Sequence, residues 1–146
     1  MNEKITRHII LQVVQAMLYC HSRGVIHRDL KLENVLFRNE PDPMDEDDLG
    51  AFNVKIIDFG IAGVANDKVD AGTLSYMAPE CLEKTFADTT PAIDVWAIGI
   101  MFYAMIYGTL PFSHSNDKEL MKMIKTTPVK FPPHIPITNE GKDVIR

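Results

Sequence analysis

The sequence predicts an α+β fold that is mainly α-helical, and three observations support this prediction. Apolar residues recur at helical spacing over residues 5–21, an uncharged run of 18 residues covers 95–112, and two short segments rich in β-branched residues lie between them. The chain has 146 residues, of which 46% are hydrophobic, enough for a sizeable core in one domain or part of one. We therefore expect helices packed around one small β-hairpin.

The first helix is predicted at residues 5–21. Two rows of apolar side chains at helical spacing predict one broad buried face, formed by Ile5, Ile9, Val13 and Met17, with Ile10, Val14 and Leu18 beside them. The helix is expected to end at residues 21–24, where basic side chains precede a glycine.

A β-hairpin is predicted next, with strands at residues 34–37 and 52–58. Between the strands, residues 39–51 contain six acidic side chains: Glu40, Asp42, Asp45, Glu46, Asp47 and Asp48. A calcium loop that begins at Asp45 does not fit, because Leu49 and Ile56 stand where oxygen ligands are required. We expect an acidic hairpin insertion that is solvated and dispensable for the fold.

The uncharged run at residues 95–112 has the minimum length of a membrane-spanning helix. Gly108 and Pro111 interrupt its end, and no cluster of Lys or Arg flanks it, so the buried central helix of a globular domain is the favoured interpretation. Thr90 and Pro91 predict its N-cap and its first helical position.

Two further helices are predicted after the apolar run. The first is capped by Asn116 or Ser115 and extends to about Lys125, and the second begins at Thr138. Four prolines within residues 127–136 require a loop between them.

The charge and the cysteine content exclude several classes of function. A net charge of −5 gives no electrostatic basis for binding nucleic acid or an anionic membrane. Cys20 and Cys81 lack the spacing of metal ligands, so we expect reduced thiols in a cytoplasmic or nuclear protein. Residues 1–10 lack the apolar core of a secretory signal, and no pattern indicates an oligomeric state.

Residues 27–34, His-Arg-Asp-Leu-Lys-Leu-Glu-Asn, place four charged side chains between two apolar segments. A solvated turn is the ordinary interpretation of such a stretch, but paired hairpin strands would bring Asp29, Asn34 and Asp58 together at one end of the hairpin. The side-chain oxygens of Asn34 and Asp58 suit Mg²⁺, and Asp29 is then free to orient a hydroxyl and take its proton. With Lys31 to neutralise a transferring phosphoryl group, these residues predict phosphoryl transfer.

At this point the chain resembles the eukaryotic protein kinases. The motifs that carry the resemblance occur in the family's order: "HRDLKLEN" (27–34), "DFG" (58–60), "GTLSYMAPE" (72–80), which ends in "APE" (78–80), and "DVWAIGI" (94–100). Each motif alone is a weak signal, but their order and spacing together are specific. The resemblance implies the fold of the family's large, C-terminal lobe and an enzyme that uses ATP and Mg²⁺.

The resemblance implies a role for each residue of the predicted site. Asp29 is expected to be the catalytic base, and Lys31 the lysine that contacts the transferred phosphate. Asn34 and Asp58 are expected to hold Mg²⁺ with ATP, and Leu36 to lie under the adenine ring.

Three further residues take expected roles from the same resemblance. Arg28 is expected to read the state of the activation segment, and Thr73 to contact the catalytic loop. Asp94 is expected to accept hydrogen bonds from the backbone of that loop, since a buried acid at the start of an apolar helix needs such partners.

The type of substrate follows from two details. Lys31, two residues after Asp29, and Thr73 in "GT" before "YMAPE" resemble serine/threonine kinases rather than tyrosine kinases. The expected partner is therefore a protein with a Ser or Thr acceptor. Glu33 occupies the position at which kinases that prefer basic substrates bind an arginine of the substrate, upstream of the acceptor. The alternative is that Glu33 is an ordinary solvated acid.

We expect residues 1–146 to be a partial kinase domain, a large lobe truncated at both ends, because no G-x-G-x-x-G of a small lobe occurs. Two other classes stay open: a non-catalytic kinase-like scaffold and a small-molecule kinase with a similar loop. The presence of Asp29, Asn34 and Asp58 argues against the first. The "APE" motif argues against the second.

Regulation is the last expectation. Residues 61–71 contain no Ser, Thr or Tyr that could carry a phosphate for Arg28. Asp67 and Asp70 are the nearby anions, and they offer Arg28 a weaker but permanent partner. We expect activity without phosphorylation of this segment; the alternative is that both acids are solvated.

Overall fold

The computed structural model of the chain describes residues 1–42, 47–64, 72–82 and 89–145. The helices are α1 (Glu3–Ser22), α2 (Ala92–Tyr107), α3 (Asp117–Thr126) and α4 (Asn139–Ile145). The strands are β1 (Val25–Ile26), β2 (Val35–Phe37), β3 (Val54–Ile56) and β4 (Gly63–Val64). The predicted α+β fold, mainly helical, is confirmed.

Helix α1 begins where the Asn2 side chain accepts a hydrogen bond from the Ile5 amide at 2.9 Å. Its buried residues are Ile5, Thr6, Ile9, Ile10, Val13 and Met17. The predicted broad face is wrong at two positions, since Val14 is 41% and Leu18 68% exposed. The buried stripe is narrower because the elements that α1 packs against, chiefly α2, β1 and β3, do not cover these two side chains.

Helix α2 is the centre of the core, with ten buried residues among its 16. The chain leaves it through Gly108, which has a left-handed φ of 72° that glycine adopts without strain. The helix begins at Ala92, one residue later than predicted, and the Thr90 hydroxyl accepts from the Ala92 amide at 3.3 Å. Among the described residues, none of the helices combines the length and the hydropathy that a membrane span requires.

Strands β2 and β3 form the predicted hairpin, and they pair antiparallel with Val35 opposite Ile56. Both strands are shorter than expected, because Asn34 and Phe52 belong to 3₁₀ turns (Leu32–Asn34 and Leu49–Phe52) instead. The described acids of residues 39–51 are exposed, whereas Leu49 and Ala51 pack against the core. The prediction of a solvated insertion is therefore correct for the described acids, Glu40, Asp42, Asp47 and Asp48, and wrong for Leu49 and Ala51. Asp45 and Glu46 lie outside the described residues.

A second two-stranded sheet was not predicted. Strand β1 pairs antiparallel with β4, so that Ile26 lies opposite Gly63 and Val25 opposite Val64. Strands of two residues are too short to leave a periodic pattern in the sequence. This sheet holds the start of residues 27–34 beside the segment that follows Asp58.

The last two helices begin where the sequence predicts them. The Asn116 side chain caps α3 by accepting from the amides of Lys118 and Glu119, at 2.9 and 3.3 Å. The Thr138 hydroxyl accepts from the Gly141 amide at 3.0 Å and so caps α4. Of the two predicted caps for α3, Asn116 is thus the correct one.

Candidate active site

Asp94 anchors residues 27–34, which we call the polar loop. Its side chain is 1% exposed and accepts hydrogen bonds from the backbone amides of His27 and Arg28, at 2.9 and 3.0 Å. His21 Nε2 lies 2.7 Å from the same carboxylate. The prediction that Asp94 bonds to the loop backbone is confirmed, and it explains an acid within an apolar helix.

His27 joins the polar loop to the end of β3. The ring is fully buried, Nε2 lies 3.0 Å from the Ile57 carbonyl oxygen, and Nδ1 accepts from the Asp29 amide at 3.3 Å. These contacts fit a neutral ring with its proton on Nε2. The Phe59 ring packs beside it, with 4.6 Å between centroids.

Asp29, Lys31 and Thr73 form a closed group of polar contacts. The Thr73 hydroxyl and amide donate to Asp29 Oδ1 at 2.9 and 3.2 Å. Lys31 Nζ lies 3.1 Å from Asp29 Oδ2 and donates to the Thr73 hydroxyl at 2.8 Å. Both charged side chains keep about a fifth of their surface exposed, so the group is ordered and still open to a reactant (22% for Lys31 and 16% for Asp29).

Asn34 lies behind Asp29 and is 5% exposed. Its Nδ2 donates to the Asp29 carbonyl oxygen at 2.8 Å, and its own carbonyl accepts from the Ile57 amide at 2.9 Å. Asp58 directly follows Ile57, so the register places it beside Asn34. Asp58 has a left-handed φ of 61°, a strained conformation for this residue, and its Oδ1 accepts from the Gly60 amide at 3.3 Å.

These two residues fit a magnesium ion. The Asn34 amide nitrogen bonds to a carbonyl, which leaves Oδ1 as the atom that can act as a ligand, and Asp58 is exposed at the surface. One carboxylate and one amide oxygen suit Mg²⁺, which commonly keeps several waters and binds substrate phosphates. Across the described ranges, no three His, Cys, Asp or Glu side chains form a protein-only metal site.

Leu36 and Glu33 lie outside the group of hydrogen bonds. Leu36 is opposite Lys55 in the hairpin and is 41% exposed, on the same strand that begins next to Asn34. Glu33 is exposed on the polar loop. Burial, and then the charge of Glu33, raise the pKa of Tyr76, which places Glu33 near the segment that contains Thr73.

Comparison with known proteins identifies the family of the chain. The family model described as "Protein kinase domain" matches residues 1–146. The chain belongs to the protein kinase family. It is 38% identical to the serine/threonine-protein kinase TOUSLED of Arabidopsis thaliana over 99% of this chain, and 35% identical to a cell cycle serine/threonine-protein kinase of Saccharomyces cerevisiae over 100%. A NUAK family SNF1-like kinase of Mus musculus is 37% identical over 90%.

The chain spans only part of these kinases. The matched region is 22% of the Arabidopsis protein, 20% of the yeast protein and 19% of the mouse protein. The kinase motifs of the sequence thus fall on the polar loop, on the turn that follows β3, on the segment at residues 72–80 and on helix α2.

Arg28, in the polar loop, has an unusual backbone conformation. Its φ is 71°, and its Nη2 donates to the Val64 carbonyl at 2.6 Å and to the Thr89 hydroxyl at 3.3 Å. The expected partners Asp67 and Asp70 lie outside the described residues. The sequence carries no signal for Thr89 or His21 as partners of this region. Thr89 lies 61 positions after Arg28, and His21 lies 73 positions before Asp94, and no spacing rule links residues so far apart.

A small cavity of about 50 Å³ lies behind the polar loop. Asp29, Thr73, Met77, Cys81 and Asp94 contribute to its walls. It is far too small for a nucleotide. Partial burial, and then the charge of Glu80, raise the pKa of the Cys81 thiol.

Proposed function

We propose that this chain carries the catalytic centre of a serine/threonine protein kinase, which transfers the γ-phosphate of ATP to Ser or Thr hydroxyls of protein substrates. The observation that carries the proposal is the closed group of Asp29, Lys31 and Thr73. A carboxylate fixed on one oxygen by a hydroxyl and an amide, and on the other by a lysine, is an oriented base rather than a solvated acid.

Asp29 would orient the acceptor hydroxyl and take its proton. Its two oxygens are held by Thr73 and Lys31, and the carboxylate remains partly exposed. Lys31 would stabilise negative charge on the transferring phosphoryl group, since its ammonium already lies 3.1 Å from the base. Binding, orientation and charge neutralisation account for most of the catalysis in this class of reaction.

Asn34 and Asp58 would hold Mg²⁺ against the phosphates of ATP. When bound, the metal neutralises charge on the phosphate oxygens. Asn34 keeps its ligand oxygen oriented because its nitrogen donates to the Asp29 carbonyl, so the base and the metal ligand are held by one hydrogen bond. Leu36 would supply an apolar surface for the adenine ring, which its exposure supports.

Glu33 would favour basic residues near the acceptor. It is exposed on the polar loop and close enough to Tyr76 to affect that residue's pKa. We expect Glu33→Ala to lower kcat/KM for a peptide with arginine upstream of the acceptor by about tenfold, and to leave an arginine-free peptide nearly unaffected. Equal effects on both peptides would identify Glu33 as an ordinary surface acid.

The test of the proposed function uses the longest translation product that contains this sequence. Transfer of labelled γ-phosphate from ATP to a Ser/Thr peptide library is measured with and without Mg²⁺. Asp29→Ala is expected to lower kcat by about 10²- to 10⁴-fold with nearly unchanged ATP affinity, because a base acts in the transition state. Asp58→Ala is expected to abolish Mg²⁺-dependent nucleotide binding.

Asp48→Ala is the matched control, since it removes an exposed acid of the insertion. Its activity should equal that of the unsubstituted protein. Equal loss of nucleotide affinity in Asp29→Ala and Asp58→Ala would contradict the separate roles. A product that binds partners but transfers no phosphate would favour the scaffold alternative.

A further inference from the structure

The guanidinium group of Arg28 lies against the backbone of β4. Its Nη2 donates to the carbonyl oxygen of Val64 at 2.6 Å and to the hydroxyl of Thr89 at 3.3 Å. Thr89 is 7% exposed, so its hydroxyl is a buried acceptor and not a surface group. We call the Val64 carbonyl, the Thr89 hydroxyl and the Gly63 backbone between them the Arg28 contact site.

Gly63 is part of this contact site because of what it lacks. A Cβ atom built on Gly63 overlaps all three of the nearest atoms it meets, and each belongs to the Arg28 guanidinium. The backbone of Gly63 is outside the left-handed region, so its conformation does not require glycine. The requirement is one of space for the arginine head group.

Arg28 needs restraints because its own backbone is strained. A φ of 71° is rare for a residue with a long side chain and persists only where surrounding contacts enforce it. Among the described residues, the Arg28 amide bonds to Asp94 and the side chain bonds to the Arg28 contact site, and both contacts help to hold this backbone in place. Asp29 is the next residue, so a change in the backbone at Arg28 turns its carboxylate directly.

We propose that Gly63 and Thr89 are positioning residues for the transfer reaction, which hold the Arg28 guanidinium on β4 and thereby keep Asp29 facing Thr73 and Lys31. The inference rests on the proposed kinase function and deepens it. It also makes β4, which follows the Asp58 turn by two residues, a structural link between the metal ligand and the base.

Gly63→Ala and Thr89→Val each disturb the contact of the Arg28 guanidinium with the Arg28 contact site, in different ways. The alanine displaces the guanidinium, which is the end of a flexible side chain, so the arginine is expected to move while the fold stays intact. The valine removes the hydroxyl and keeps the shape. In the longest translation product, each change should lower kcat about tenfold while KM for ATP and peptide stays within about twofold, because neither residue is assigned a substrate contact.

Matched controls separate positioning from general sensitivity. Gly99→Ala adds the same methyl group where the nearest atoms are 3.8 Å away, and should leave kcat unchanged. Thr89→Ser restores the hydroxyl and should recover most of the activity that Thr89→Val loses. The double variant Gly63→Ala/Thr89→Val should be hardly worse than either single one, because both release the same side chain.

Several outcomes overturn the inference. An unchanged kcat in Gly63→Ala would do so, and so would an equal loss of kcat in Gly99→Ala. A raised KM with unchanged kcat in Gly63→Ala or Thr89→Val, or a kcat of Thr89→Ser no higher than that of Thr89→Val, would also contradict it. Thermal unfolding followed by circular dichroism accompanies each assay. If Gly63→Ala does not fold, the comparison of Thr89→Val with Thr89→Ser decides alone.

Amide hydrogen exchange distinguishes this inference from the proposed function. Exchange at Arg28 and Asp29 should be about tenfold faster in Gly63→Ala and Thr89→Val than in Gly99→Ala, whether or not the protein transfers phosphate. An unsubstituted protein with no transferase activity overturns the proposed function and the catalytic half of the inference. Unchanged exchange in an active protein overturns the inference alone.

Discussion

The polar loop and the acidic segment at residues 39–51 flank the same three-residue strand, β2, and both are rich in charge. In the polar loop, every one of His27, Asp29, Lys31 and Asn34 has a partner within 3.3 Å. In the acidic segment the described acids are exposed, and Asp47 meets Lys4 with side chains 98% and 56% exposed. Two of these partners, Ile57 and Thr73, come from other segments of the chain and the others lie within the loop itself, whereas the contact of Asp47 with Lys4 lies at the surface, where ion pairs contribute little.

The largest expected effect comes from Asp94, on which the polar loop depends. Asp94→Ala leaves the amides of His27 and Arg28 buried without their acceptor, and we expect the free energy of unfolding to fall by about 3 kcal/mol. Chemical denaturation measures it. Asp48→Ala, in the acidic segment, should change it by less than about 0.5 kcal/mol. Equal values for the two acids would break the comparison.

Thr73 is expected to have the next largest effect, on catalysis rather than folding. Thr73→Val removes the hydroxyl between Asp29 and Lys31 and keeps the shape of the side chain, so kcat should fall about tenfold or more. Thr73→Ser keeps the hydroxyl and should stay within about threefold of the unsubstituted enzyme. Steady-state kinetics of both variants measure the contrast, and equal rates would show that the closed group is not needed.

Two buried tyrosines of α2 allow the same comparison, between a polar group with a partner and one without, to be made in the core. The Tyr103 hydroxyl donates to the Lys130 carbonyl at 2.9 Å, while the buried Tyr107 hydroxyl has no hydrogen-bond partner among the described residues. Tyr103→Phe should lower the free energy of unfolding by about 1 kcal/mol, and Tyr107→Phe should leave it unchanged or raise it slightly. Thermal unfolding of both variants at neutral pH decides.

The same tyrosines predict a loss of stability at alkaline pH. Burial raises the pKa of Tyr103, and burial with the charges of Tyr103 and Glu3 raises that of Tyr107, above the ordinary value of 10.0. Ionisation therefore favours the unfolded chain, so this stability is complete below about pH 10 and is lost as pH rises through the folded-state pKa. Tyr107→Phe should reduce the loss above about pH 10, measured by denaturation at each pH.

The smallest effect is expected from removing the solvated part of the insertion. Replacing residues 40–48 with a short Gly-containing turn should shift Tm by no more than about 2 °C, because closing a loop of different length costs little. A replacement that extends through Ala51 also removes the packing of Leu49 and should cost about 1 kcal/mol more. A large loss from the shorter replacement would show that the acids have a structural role.

Much of this fold could be predicted because helices and caps leave local patterns. The spacing of Ile5, Ile9 and Val13 and the cap at Asn116 identify helices without any knowledge of their neighbours. The position of Asp94 against the loop was implied by the resemblance to protein kinases, and a buried charge that needs donors is consistent with it. The exposure of Leu18 and the pairing of β1 with β4 depend on tertiary packing, which no short window records.

The candidate site divides in the same way. Asp29, Asn34 and Asp58 could be selected from residue type and spacing, since metal and base chemistry restricts the choice. Thr89 and Gly63 could not, because their contribution is a contact with one side chain and a space beside it. In the sequence, nothing distinguishes Thr89 and Gly63 from other threonines and glycines.

The hydrogen bonds that the polar loop donates to Asp94 also determine when the site can form. They join residues 66 and 67 positions apart, and the contact with His21 spans 73. Contacts of such long sequence separation tend to form late in folding, since closing a long loop of chain costs conformational entropy. During synthesis the loop leaves the ribosome well before Asp94 does. A chaperone or protease that meets the nascent chain before α2 has packed therefore meets a polar loop that is not yet anchored.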